Sequence, residues 1–136
     1  MIVQLAADNP NTVNGLVILA GALDIKLENP EKWRTVFMNN PLKFLVPGAL
    51  RPSNDELWYL KKDLVSLQPL FSKITCPIYI LHGNKDPLVD YGNLAFGAKA
   101  FKNSSKVDTL TFVGSNHFIP WTRFNEIKSV LMHLYY

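Results

Sequence analysis

Two short apolar runs do most to limit what this chain can fold into. Leu16 to Ala20 is continuously hydrophobic between Gly15 and Gly21, and Ile78 to Leu81 repeats the pattern behind Pro77. A strand apolar on both of its alternating faces has no side to offer water, so it belongs in a parallel sheet covered above and below. Pro77 suits the opening of such a strand, where a missing N–H costs little. Thr109 to Val113 alternates β-branched and aromatic residues and reads as a third strand.

Helical patterns separate these strands. Met1, Ile2, Leu5 and Ala6 lie at helical spacing until Asp8-Asn9-Pro10-Asn11 ends the pattern, so the chain opens on a helix tail. Asn29 followed by Pro30 is a helix start, with Asn as cap and Pro at the first turn, and the helix should run to Phe37. Pro41, Pro47, Gly48 and Pro52 break the next stretch. Ser53 and Glu56 then form a capping box ahead of Leu57, Leu60, Leu64 and Leu67 on one face. Tyr91, Leu94, Ala98 and Phe101 define a further helix, and Trp121, Phe124, Ile127, Leu131 and Leu134 give the last one an apolar stripe that should dock on the sheet. The order is helix, strand, insert, strand, helix, strand, helix. It predicts an α/β fold: a three-stranded parallel sheet, wound right-handed, flanked by helices.

Composition removes several function classes. The chain has 136 residues, 48% of them hydrophobic, which is enough for one core and too little for two ordinary domains. A net charge of +3 comes from Lys and Arg in ones and twos, with Lys61-Lys62 the densest pair. No basic stripe interleaved with aromatics is present, so no nucleic-acid partner is expected. The longest apolar run, from Leu16 to Leu23, falls far short of the ~20 residues of a membrane span. Met1 to Leu5 lacks the basic start of a secretory signal. One cysteine, Cys76, forbids an intrachain disulfide or a thiolate zinc cluster, and with no export signal the expectation is cytoplasmic. No metal or other cofactor is expected.

The chemistry concentrates after two strand ends. In open parallel sheets, reactive groups gather beyond the carboxyl ends of the strands. Asp86 follows the second strand through the turn His82-Gly83-Asn84-Lys85, and His117 follows the third through Gly114-Ser115-Asn116. Adjacent strands would bring this carboxylate and imidazole into one crevice. An imidazole can relay a proton between a nucleophile and a leaving group, and a buried carboxylate fixes its tautomer. His117 is therefore the candidate base and Asp86 its orienter.

These linked segments resemble the α/β-hydrolases. Ile78 to Val89, with His82-Gly83 and then Asp86, is similar to that family's acid loop, and Gly114 to Phe118 to its histidine loop. Leu5 to Pro10 followed by Val13 to Leu19 resembles the end of the helix after the nucleophile, then the next strand. The resemblance covers nearly the whole chain. It implies that residues 1–136 are a partial α/β-hydrolase domain, holding the last strands of the fold, with a helical, cap-like insert at about 24–70. It also implies a Ser-Asp-His triad that hydrolyses a small-molecule carboxylic ester or related acyl substrate, as in lipase-like serine esterases.

One element of the pattern is missing. No Gly-x-Ser-x-Gly occurs in these 136 residues. By the family's register, the nucleophile would lie about five residues before Met1, with the oxyanion-hole donors in the same missing part. The chain alone is therefore expected to be truncated and inactive. The alternative is a hydrolase-like module that binds or assembles without catalysis. An unpaired strand at Leu16 to Ala20 is expected to drive self-association or pairing with a separate N-terminal half.

Other residues have plainer readings. Ser115 lies beside His117 but has no strand-to-helix elbow behind it. His82 closes its strand, Asp90 caps the following helix or serves as a second-choice acid, and His133 belongs to surface or packing. Trp33, Phe37, Phe44, Leu45 and Trp58 either line an acyl pocket or pack the insert onto the sheet.

Overall fold

A computed structural model describes residues 2–28 and 51–133, with the side chains of 51–58 and 133 outside the description. Helix α1 (Ile2–Asp8) leads to strand β1 (Leu16–Leu19). After the undescribed segment come α2 (Arg51–Leu67), a 3-10 stretch (Gln68–Lys73) and β2 (Ile78–Gly83). Helix α3 (Gly92–Ala100), β3 (Val107–Phe112), α4 (Ile119–Thr122) and α5 (Phe124–His133) complete the order. The helix expected from Asn29 to Phe37 lies outside the described residues.

The strands form one parallel sheet in the order β1-β2-β3. Leu16 pairs with Ile78 and Leu19 with Leu81, while Ile78 pairs with Val107 and Gly83 with Phe112. Alternation then sorts the side chains between two faces. Leu16, Ile18, Ile78 and Ile80 pack with Val3 and Ala6 of α1, Leu23, Phe71, Ile74 and Phe101. Leu81 packs on the other face with Ala20, Phe112, Ile119 and Ile127, flanked by the half-buried Val17, Leu19, Tyr79 and Val130. The three-stranded α/β core is as the apolar runs predicted.

Several boundaries and faces differ from the sequence reading. β2 continues through His82 and Gly83 rather than turning at His82, because both residues pair with β3. β3 runs from Val107 to Phe112, not Thr109 to Val113; its polar start is tolerated at an edge, where Lys106 and Asp108 form an ion pair of 2.8 Å. α2 already includes Ser53 as its third residue, so Ser53 is not its cap. Leu60, Leu64 and Leu67 do turn inward, with Leu64 fully buried. α1 buries Val3 and Ala6 and leaves Ile2 and Leu5 exposed. α3 buries Asn93, Leu94 and Gly97, while Tyr91 and Ala98 stay near the surface.

The largest departure is at the C-terminal helix. A break at Arg123 (φ −129°, ψ 31°) separates α4 from α5. Ile119 of the first and Ile127 of the second dock on the sheet, whereas Trp121, Phe124 and Leu131 face solvent, with Trp121 78% exposed. No described helix is long and apolar enough to cross a membrane.

Candidate active site

The site is built where β2 and β3 end side by side. Asn84 Oδ1 accepts the Gly114 N–H at 2.7 Å, and the Lys85 N–H donates to the Ser115 carbonyl at 2.9 Å. Gly83 permits this approach: a Cβ there would stand 2.4 Å from the Ser115 carbonyl oxygen and 2.6 Å from that of Asn116. Gly114 turns the second loop at φ +76°, a conformation that favours glycine. Two glycines thus let the loops that carry Asp86 and His117 share one crevice.

That crevice holds the predicted pair. His117 Nδ1 lies 2.8 Å from Asp86 Oδ2. The Asp86 side chain is fully buried and that of His117 is 30% exposed. Asp86 Oδ1 accepts the N–H groups of Leu88 at 2.8 Å and Val89 at 3.0 Å, so the loop folds around its own carboxylate. Burial works against the charge on Asp86, but these backbone donors and the His117 imidazole outweigh it and hold the carboxyl below its ordinary range. With a carboxylate at Nδ1, the tautomer that donates there leaves Nε2 bare. Among the described residues, no hydrogen-bond partner meets Nε2, so the imidazole presents a basic nitrogen on its more open side.

The remaining candidates separate cleanly. Ser115 is buried and its Oγ accepts a 2.8 Å bond from Arg123 Nε, which takes it out of contention as a nucleophile. Asp90 Oδ1 accepts the Gly92 N–H at 2.7 Å from one residue before the cap position, which is Tyr91 rather than Asp90. Cys76 precedes β2, at the amino end of the sheet, and burial pushes its thiol pKa up. His133 is the last residue of α5. Among the described residues, no group of three or more His, Cys, Asp or Glu is placed to hold a metal. A groove of about 560 Å³ between α1 and α2, lined by Leu5, Leu60 and Leu67 with Asp8 and Asp63, shares no residue with the site. Trp33, Phe37, Phe44 and Leu45, and the Trp58 side chain, lie outside the described residues.

Three contributors escape sequence reasoning. His82 is fully buried and its Nε2 lies 3.2 Å from Asp86 Oδ2. Arg123 ties the histidine loop to α4 through Ser115 and the Val113 carbonyl. Asn93 is fully buried on α3, where its Oδ1 accepts the N–H groups of Leu23 and Asp24 and so fixes the exit from β1. No local pattern marks Asn93, since its partners are about seventy residues away in sequence.

No family model matches this sequence, and no curated protein matches it. Solved structures do. A structure from the work on LipS and LipT, two metagenome-derived lipolytic enzymes, aligns over 97% of this chain at TM-score 0.68 and 15% identity. A putative aryl esterase from Burkholderia cenocepacia aligns over 98% at 0.66 and 19% identity. Est816, described as an N-acyl homoserine lactone degrading enzyme, aligns over 97% at 0.65 and 16% identity. The chain has the α/β-hydrolase fold. It spans 59%, 60% and 62% of the length of those three structures, respectively.

Proposed function

We propose that this chain carries the acid and base of a serine hydrolase acting on a carboxylic ester or related acyl substrate. The nucleophile would come from the part of the fold that these residues do not include. The observation that carries this reading is the 2.8 Å contact between His117 Nδ1 and a fully buried Asp86. The lipolytic, aryl-esterase and acyl-lactone descriptions of the structural neighbours support acyl chemistry.

In this mechanism, His117 Nε2 takes the proton of a serine hydroxyl as its oxygen attacks the acyl carbon. Asp86 holds the tautomer and stabilises the imidazolium. The proton then passes to the departing alkoxide, and water repeats the sequence to release the acid. Without nucleophile and oxyanion donors, residues 1–136 are inactive alone, since losing a triad nucleophile costs about six orders of magnitude in turnover.

The missing part also explains the free edge of the sheet. β1 pairs with β2 on one side, and among the described residues no strand pairs the other. A parallel strand from the rest of a hydrolase fold would cover it, whether in a longer chain, a separate N-terminal half or a second copy. We take the unit to be a partial hydrolase domain with a cap-like insert at about 24–70, and its single free Cys76 suits the cytoplasm. Turnover of p-nitrophenyl acetate and butyrate tests the catalytic reading. Activity should appear only when the chain is joined to an N-terminal portion bearing Gly-x-Ser-x-Gly. His117-dependent turnover by the short chain would overturn it. For assembly, a strictly monomeric species in sedimentation at high concentration would count against self-association.

A further inference from the structure

The buried imidazole of His82 has no task in the mechanism above, yet it sits against its central carboxylate. It is the fifth residue of β2 and is fully buried. Its Nε2 faces two oxygens, Asp86 Oδ2 at 3.2 Å and the Val89 carbonyl at 3.2 Å. Both are acceptors, so Nε2 must carry a hydrogen. Among the described residues its Nδ1 is buried without a partner, so a second hydrogen there would be a stranded donor.

We propose that His82, as its Nε2–H tautomer, is a positioning residue for Asp86. Its N–H bonds the Val89 carbonyl and stands 3.2 Å from the carboxylate oxygen that also receives His117, so it ties the loop around Asp86 and sets an N–H dipole against the carboxylate. This rests on the reading of Asp86 as the orienter of His117.

Counting lone pairs supports the assignment. A carboxylate offers about four acceptor sites. Oδ1 accepts the Leu88 and Val89 N–H groups, and Oδ2 meets His117 Nδ1 at 2.8 Å and faces His82 Nε2 at 3.2 Å. Removing His82 takes away the N–H dipole closest to Oδ2 after His117 and frees the Val89 carbonyl. Packing alone does not call for histidine. A phenyl or isobutyl group would occupy the strand position without burying the unpaired Nδ1, so the imidazole earns its place through its donor. Tyr91, just before α3, meets the His82 ring edge-on at 5.9 Å, and its hydroxyl shares a 2.6 Å hydrogen bond with that of Thr111. Asp86 is then the ionised group within reach of Nε2, since Asp90 is engaged with the Gly92 N–H.

The test is made on this chain by NMR and needs no turnover. Imidazole ¹⁵N spectra should show His82 as the Nε2–H tautomer; a hydrogen on Nδ1 alone would overturn the proposal, whether or not any variant folds. The Asp86 carboxyl titration gives the second arm. His82→Phe removes one donor, so the Asp86 midpoint should rise by about one unit. His82→Gln, with an amide N–H in its place, should restore most of that shift. An unmoved midpoint in His82→Phe, or equal shifts in both variants, would show a packing residue and sink the assignment. Failure of an extended chain to hydrolyse esters would remove the catalytic reading and leave these titrations standing.

Discussion

The two faces of the sheet are finished to different degrees. On one, α1, the 3-10 stretch and α3 close over Leu16, Ile78 and Ile80, each at most 1% exposed. On the other, α4 and α5 seal Leu81 and Ile119 but leave Val17, Leu19 and Tyr79 half-buried, beside a shallow groove of about 230 Å³ along Tyr79, Leu110 and Val130. Phe118, Trp121 and Phe124 stand exposed beyond it. The closed face can hold the strands in register by itself. The open face has apolar area to offer, in keeping with a chain that spans about 60% of the length of its structural neighbours.

Substitutions should reproduce this contrast. Ile80→Ala, on the closed face, should lower unfolding stability by about 2–5 kcal/mol in denaturant titration, because the cavity cannot fully collapse. Gly83→Ala should cost about 1–3 kcal/mol, since the new methyl meets backbone oxygens that cannot rotate away, and it should also lengthen the His117–Asp86 contact. Leu19→Ala, on the open face, should cost only about 1 kcal/mol in the chain alone, and more once a partner covers that face. Trp121→Ala should change stability by less than about 0.5 kcal/mol. Equal losses from Ile80→Ala and Leu19→Ala would break the comparison.

Acid dependence sharpens it further. The folded state holds the Asp86 carboxyl below its ordinary value, so Asp86 contributes stability that is fully present above the unfolded carboxylate value near 4. That contribution is lost as pH falls through the lower folded value. The stability gap between the wild-type chain and Asp86→Asn should therefore be widest above about pH 5 and shrink below pH 4. A gap that is flat across this range would mean that the bonds around Asp86 do not favour its ionised form.

Much of the closed face was legible because continuous apolar runs have one economical place, a covered parallel strand. That Asp86 and His117 meet was legible for a related reason: side chains just past the ends of neighbouring parallel strands share one crevice. The apolar stripe of the last helix misled, because the segment is two helices broken at Arg123, and on the second Ile127 is buried while Phe124 and Leu131 stay exposed. His82 looked like a turn residue, since nothing local shows that Gly83 lets the ladder run two residues further. Asn93 could not be found at all, because its value depends on N–H groups of Leu23 and Asp24, in the segment that follows β1.

The most direct test of the central claim is the rate cost of Asp86→Asn in this chain joined to an N-terminal portion bearing the nucleophile. The amide keeps the shape but cannot hold the base in its donating tautomer, so kcat for a p-nitrophenyl ester should fall by about four orders of magnitude. Turnover undiminished by Asp86→Asn, in an enzyme that His117→Ala also leaves intact, would contradict the account.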